Sequence, residues 1–190
     1  MAHRSMPDYV ALLRGINLGN RRLKMEVLRA CFEALKFANV STFIASGNVI
    51  FASKVADALK LESQIERHLE RSLGYNVDTF VRTRAEIAAA AGLQPFHRAD
   101  MENPAHTVHV GFLKNALAAG HAKTMSAIRS DADAFYVEGR EFYWLCRIKS
   151  NESKIWSSPE IKALRLPTAT MRNLKMLRRL AAEFPARSGG

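Results

Sequence analysis

Five consecutive apolar residues, Tyr9 to Leu13, predict a strand that is central in a sheet or covered on both sides, because a half-exposed strand would alternate apolar with polar. From Lys24 to Lys36 the period changes. Met25, Leu28, Cys31, Phe32 and Leu35 recur at spacings of three and four, which places them on one stripe of a helix. Asn39 ends that stripe, and Val40 to Ala45, rich in Val, Thr, Phe and Ile, resumes as a strand. Asn48 to Ala52 is the next one. Only Ser46 and Gly47 stand between them, so a tight hairpin is predicted in which Gly47 supplies a positive backbone angle. A second helix turns Leu59, Leu61, Ile65, Leu69 and Leu73 toward the core and stops at Gly74, a residue suited to a helix C-cap. Val77 to Val81 follows as a fourth strand.

The order strand, helix, strand, strand, helix, strand is that of the split βαβ, or ferredoxin-like, unit, and it closes near residue 83. Ala85 to Gly92 predicts a linking helix. Gln94 to Pro104, with two prolines and many polar residues, predicts a connector. The pattern then starts again. Thr107 to Leu113 reads as a strand, Ala116 to Ile128 as a helix interrupted by Gly120, and Ala134 to Glu138 with Glu141 to Arg147 as a hairpin about Gly139-Arg140. A helix over Pro159 to Leu164 and a short strand over Thr168 to Thr170 precede a terminal helix, Arg172 to Phe184, with Leu174, Leu177, Leu180 and Ala181 on one face. The fold expected is therefore α+β, with two ferredoxin-like halves, each an antiparallel sheet with helices on one face. The halves are 1–83 and 105–190, joined by a linking helix and connector over 84–104.

A hydrophobic content of 48% with 24% charge over 190 residues is that of a folded chain of one ordinary domain or two small ones. No stretch reaches the roughly 18 to 20 apolar residues of a membrane span, and Met1 to Pro7 lacks the apolar core of a signal peptide. The expectation is a cytoplasmic chain with no membrane partner. Cys31 and Cys146, far apart and without Cys-x-x-Cys spacing, predict two buried thiols. Against 18 acidic residues stand 28 Lys and Arg, a net charge of +10, which favours anionic partners: nucleic acid or a phosphorylated small molecule.

Catalytic and metal chemistry finds little support. His106 and His109, three apart on a strand, point to opposite faces and cannot chelate one metal, and the other histidines are scattered. Nothing nominates a base for Ser46 as a nucleophile. Glu138 and Glu141 flank a turn that Arg140 shares, which describes a solvated charged turn better than an acid-base pair. Phe142 and Trp144 alternate with Tyr143, so at least one of those sets belongs to the core. No catalytic residue, metal or cofactor is expected.

Topology points to one place for a ligand. In a split βαβ unit the first two strands run parallel, so their C-terminal ends share a sheet edge. Arg14-Gly15-Ile16-Asn17 leaves one strand there and Ser46-Gly47-Asn48 turns the chain there. The loop from Gly15 to Arg22 then brings Arg21, Arg22 and Lys24 to the start of the first helix, whose N-H groups and dipole favour an anion. Arg14, Gly15, Asn17, Lys24, Ser46, Gly47 and Asn48 are thus candidate ligand-binding residues. A competing reading has the glycines serving tight turns, the asparagines bonding neighbouring loops and Arg14 pairing with an acid. The expected function is binding of an anionic ligand at this rim. One alternative is a small enzyme with a pocket between the halves, to which Arg172, Asn173 and Lys154 contribute; another is an assembly module using edge strands or the terminal helix. The sequence leaves the oligomeric state open.

Leu12 to Gly19 (Leu-Leu-Arg-Gly-Ile-Asn-Leu-Gly), Leu23-Lys24-Met25 and Ser46 to Phe51 (Ser-Gly-Asn-Val-Ile-Phe) together resemble the N-terminal signature of the DUF1697 family, named only as a domain of unknown function. The resemblance covers nearly the whole chain. Thr170-Met171-Arg172-Asn173-Leu174 is similar to the family's Thr-Thr-Arg-Asn-Trp segment, with Met171 in place of the second Thr and Leu174 in place of the Trp. What the resemblance implies is a two-part α+β fold with ferredoxin-like halves. It implies no established reaction, cofactor or catalytic residue.

Overall fold

The computed structural model describes residues 6–17, 19, 22–44 and 47–184. The chain divides into two compact units, Met1–Ile87 with Phe184–Gly190 and Ala88–Glu183. The first contains β1 (Asp8–Arg14), α1 (Met25–Ala34), β2 (Ala38–Thr42), β3 (Asn48–Ala52), α2 (Ala58–Leu73) and β4 (Asp78–Thr83). Its sheet order is β2-β3-β1-β4 with every neighbouring pair antiparallel, the ferredoxin-like arrangement. The central place of β1 accounts for its unbroken apolar run. Tyr9, Ala11 and Leu13 join Leu28 and Phe32 of α1 and Leu61, Ile65 and Leu69 of α2 in one core, while Val10 and Leu12 are buried on the opposite face. Phe51 of β3 anchors that core, with ring centroids 5.7 Å from Tyr9, 5.6 Å from Phe32 and 4.5 Å from Phe37.

Capping residues set the limits of α2. Asp57 accepts a hydrogen bond from the Lys60 N-H at 3.2 Å, and Gly74, at φ 78°, donates its N-H to Glu70 O. Leu59, expected toward the core, is 45% exposed. It lies two residues before Leu61, about 200° around the helix, and so faces away. Buried Glu62 takes part of the core face instead, for a reason periodicity does not carry. β4 is an edge strand, and its outward N-H groups need partners. Glu62 Oε1 accepts from Val81 N, Glu66 Oε1 from Thr79 N, and Glu86, in the first turn of α3 (Arg84–Gly92), accepts through Oε2 from Thr83 N, at 2.8, 2.8 and 2.7 Å. Three carboxylates close this edge against strand addition.

The expected two-residue hairpin turn is longer in the structure. β2 ends at Thr42 and Phe43 to Gly47 makes a five-residue connection. Phe43 leaves the strand because its ring is buried, packing edge-on to Phe184 at 6.1 Å, and its N-H donates to Asn48 O across the loop. Ile44 follows at φ 56° with its side chain exposed. An apolar run that looked like strand is thus partly loop.

The second unit repeats the order with α4 (Arg98–Glu102) ahead of it: β5 (Thr107–Phe112), α5 (Ala119–Ala127), β6 (Asp133–Glu138), β7 (Glu141–Cys146), a 3-10 turn at Ile155–Ser157, α6 (Pro159–Ala163), β8 (Thr170–Asn173) and α7 (Leu174–Glu183). The sheet order is β6-β7-β5-β8, again antiparallel throughout, so both sheets are ferredoxin-like. The last strand lies later than expected and the terminal helix starts later than Arg172. Thr170 and Arg172 are buried while Met171 points out, a strand alternation, and the helical stripe of Leu174, Leu177 and Leu180 begins only after it.

Phe135, Phe142 and Trp144 pack around Trp156 at 5.4, 5.8 and 5.4 Å. Tyr143 is buried on the opposite face and donates its hydroxyl hydrogen to Ala90 O of α3 at 3.0 Å. Both aromatic sets therefore belong to the interior. Cys31 and Cys146 are buried free thiols, and burial pushes both above the usual thiol range. Among the described residues no helix is long and apolar enough to cross a membrane.

His109 of β5 stacks on Trp144 at 4.9 Å and shares a 2.9 Å hydrogen bond with Ser150 Oγ. Burial holds its imidazole below the ordinary value of 6.5. The folded state thus binds a proton less readily than the unfolded chain. Stability from this group is full above pH 6.5 and is lost as pH falls through that value toward the lower folded one. Urea unfolding followed by tryptophan fluorescence should show this loss, and His109→Gln should flatten it; an identical pH profile in the variant would exclude His109 as its source.

Candidate functional site

β1 runs out at Arg14, which lies opposite Asp78 in the register, and the two side chains pair at 2.9 Å with both about half exposed. A pair so placed contributes about 0 to 1 kcal/mol and occupies the guanidinium without burying it. Gly15 turns the chain at φ 83°, and Ile16 drops into the core while its carbonyl accepts the Tyr75 hydroxyl at 3.2 Å. Asn17 then closes the loop. Its Oδ1 accepts the Leu23 N-H at 2.9 Å across six residues, which ties the two ends of this segment together. Arg22 donates through Nη1 to Gly19 O at 3.0 Å, and Gly19 is at φ 60°.

The second signature meets the first at the end of β1. Gly47 O accepts the Leu13 N-H at 2.8 Å. A Cβ on Gly47 would lie 3.2 Å from both Leu13 Cβ and Ile16 Cγ2, and its φ is 71°, so both conformation and space call for glycine there. Asn48 is fully buried and donates through Nδ2 to Phe43 O at 3.1 Å, tying off the β2–β3 loop. Ser46, with Arg21, lies outside the described residues. The signature residues thus take structural contacts: the Asn17 and Asn48 side chains bond to loops, the Gly47 backbone makes a close approach, and the Arg14 side chain pairs with an acid.

What the rim presents to solvent is the start of α1. Lys24 is the N-cap residue, extended at φ −68° and ψ 140°, and its side chain makes no capping hydrogen bond to the first N-H groups of the helix. Its own side chain is exposed and forms no ion pair with a described residue. Arg22, also exposed, stands two residues before it. A helix start that its N-cap side chain does not cap, with cations beside it, offers directed N-H donors and positive potential to an anion.

Arg172 and Asn173 belong to the second unit. Arg172, 9% exposed in β8, donates to Thr170 Oγ1 at 2.8 Å and to Met171 O at 2.9 Å, and burial lowers its guanidinium to about 10, still protonated near neutrality. Asn173 Oδ1 accepts the Lys175 N-H at 2.8 Å at the start of α7. Two hollows of this unit escaped sequence reasoning. One, of about 720 Å³, is bordered by Thr124, Ile128, Ile155, Glu160 and Leu164; a smaller one, of about 70 Å³, lies beside His106, Asn173 and Arg178. Each joins segments remote in the chain, so no local pattern marks it.

The profile of a family described as a protein of unknown function, DUF1697, matches residues 6–143. The solved structure of a conserved bacterial protein from Streptococcus pneumoniae is similar to this one with a TM-score of 0.71, covering 96% of this chain and 100% of that chain at 19% sequence identity. At that identity the likeness is one of fold. No curated protein matches the chain.

Proposed function

From the premise that the chain belongs to the DUF1697 family of unknown function, we propose that it is a binding protein for a phosphate-bearing ligand, received at the start of α1 by Lys24, Arg22 and the first helical N-H groups. The observation that supports this reading is the helix start at which an exposed lysine holds the N-cap position without capping it, with the Asn17–Leu23 bond just before it. Helix starts of this kind bind phosphate because their N-H groups and dipole act together on a dianion. In this reading Gly15, Asn17, Gly47 and Asn48 shape the rim, Arg14 is held by Asp78, and the contacts fall to Arg22, Lys24 and the first N-H groups of α1.

Pyrophosphate titrated by calorimetry, and a fluorescein-labelled single-stranded oligonucleotide followed by anisotropy, test the site together. Affinity for the engaged probe should rise as salt falls. The double variant Arg22→Ala, Lys24→Ala should weaken it about tenfold or more, as expected for removing two charge-assisted contacts. A flat salt response, or unchanged affinity in the double variant, would argue against the reading. Binding of the oligonucleotide but not pyrophosphate would assign the site to a nucleic-acid backbone.

A further inference from the structure

The small hollow of the second unit gathers donor groups that the rest of the fold does not use. Arg178 reaches it from α7 with Nε fixed to Ala91 O at 3.1 Å, which leaves both Nη groups without a described partner. Asn173 has committed Oδ1 to the Lys175 N-H, so its amide NH2 remains to donate. Lys175 is exposed at the rim, and its Nζ pairs with no described residue. His106 enters from the segment before β5. Its Nδ1 lies 3.2 Å from Asp100 Oδ1, within ion-pair reach but not aligned as a hydrogen bond, and Nε2 has no described partner.

Asp100 is the acidic member of this lining, and its charge is already answered. Arg147 donates to it through Nε and Nη2, both at 2.9 Å, which holds the carboxyl below the usual carboxylate range. With Asp100 and Arg147 cancelling, Lys175 and Arg178 leave two uncompensated positive charges around a space of about 70 Å³. That space takes one tetrahedral oxyanion group and little more. A dianion answers both charges, whereas a carboxylate answers one.

We propose that this hollow is a second, separate anion site that takes the phosphoryl group of a small phosphorylated molecule, with Arg178, Lys175, Asn173 and His106 as its donors. The rest of such a ligand extends into solvent past Lys175. Asp100 and Arg147 act as positioning residues: the arginine fixes the carboxylate, and the carboxylate sits against the imidazole. The inference stands apart from the reading of the first unit, since it uses none of the same residues.

The test is a titration of the full chain with inorganic phosphate, followed residue by residue in 1H–15N NMR spectra, with acetate as the comparison. Phosphate should produce saturable shifts at the Asn173 side-chain amide and at the amides of Lys175 and Thr107. Lys175→Gln, an exposed substitution, should weaken that binding about tenfold, and Arg178→Gln by as much or more. Acetate should bind at least about tenfold more weakly than phosphate. Absence of saturable shifts at Asn173 and Lys175, or unchanged phosphate affinity in Lys175→Gln, overturns the site. Equal binding of acetate overturns the assignment to a phosphoryl group.

Discussion

Gly111→Ala should lower the stability of the second unit by roughly 3 kcal/mol, the upper range for forcing atoms into a filled core. A Cβ at Gly111 would fall 2.0 Å from Phe142 Cζ and within 2.5 Å of two further ring atoms. The ring has little room to give way, because Phe142 is 2% exposed and packs on Trp156 at 5.8 Å. Movement of Phe142 would carry the cluster that also holds Phe135 and Trp144. Both tryptophans of the chain, Trp144 and Trp156, sit in that cluster, so the midpoint of urea unfolding read by tryptophan fluorescence reports it directly. Gly120→Ala is the counterpart. Gly120 lies in α5 with nothing within 4 Å of a Cβ, so alanine there should stabilise by about 0.5 to 1 kcal/mol through helix propensity. Equal midpoints for the two variants would mean that the ring does not cover Gly111 as described.

At Gly47 the expected loss is about 2 to 3 kcal/mol on substitution by alanine. The left-handed backbone, at φ 71°, costs a residue with a Cβ about 1 to 2 kcal/mol. The crowding against Leu13 Cβ and Ile16 Cγ2 at 3.2 Å adds to it, since Ile16 is held in place by burial. Gly19→Ala separates the two contributions. Gly19 shares the positive φ, at 60°, yet nothing lies within 4 Å of its Cβ, so its loss should be the conformational part alone. Thermal unfolding followed by circular dichroism should rank the wild-type chain above Gly19→Ala and that above Gly47→Ala. If the two variants melted together, the close approach of the two signatures at the end of β1 would carry no energetic weight.

The sequence is most readable where period and punctuation agree. The apolar run of β1, the alternative stripe of α1 and the stop of α2 at Gly74 all lie within a residue or two of their expected places. Reading fails where a residue answers to something distant. Leu59 looks apolar and core-bound, but Glu62 occupies the buried side because the edge of β4 needs an acceptor for Val81 N-H. Phe43 continues a strand pattern, but its ring is spent on Phe184. Arg172 belongs to an alternation of only four residues, which the helical stripe that follows obscures.

The candidate site divides the same way. Arg14, Asn17, Gly47 and Asn48 stand out in the sequence as marks, yet the partner of each is invisible there: Asp78, Leu23, Leu13 and Phe43 lie 64, 6, 34 and 5 residues away. The cations at the start of α1 are legible in the sequence, whereas the placing of Lys24 at the N-cap position is read only from its backbone angles. His106, Asn173 and Arg178 meet through the pairing of β5 with β8 and the start of α7, so their hollow has no sequence signature at all.

The central claim is that the signature residues build the rim while the start of α1 does the binding. Titrating the full chain with pyrophosphate and following 1H–15N NMR spectra separates those two roles. The account predicts saturable shifts at the amides of Gly19, Arg22, Met25 and Glu26, weakened when Lys24 and Arg22 are replaced by alanine, with the Gly47 and Asn48 amides unmoved. Shifts spread evenly over the basic surface, or saturable shifts at Gly47 and Asn48 with none at Met25 and Glu26, would contradict it.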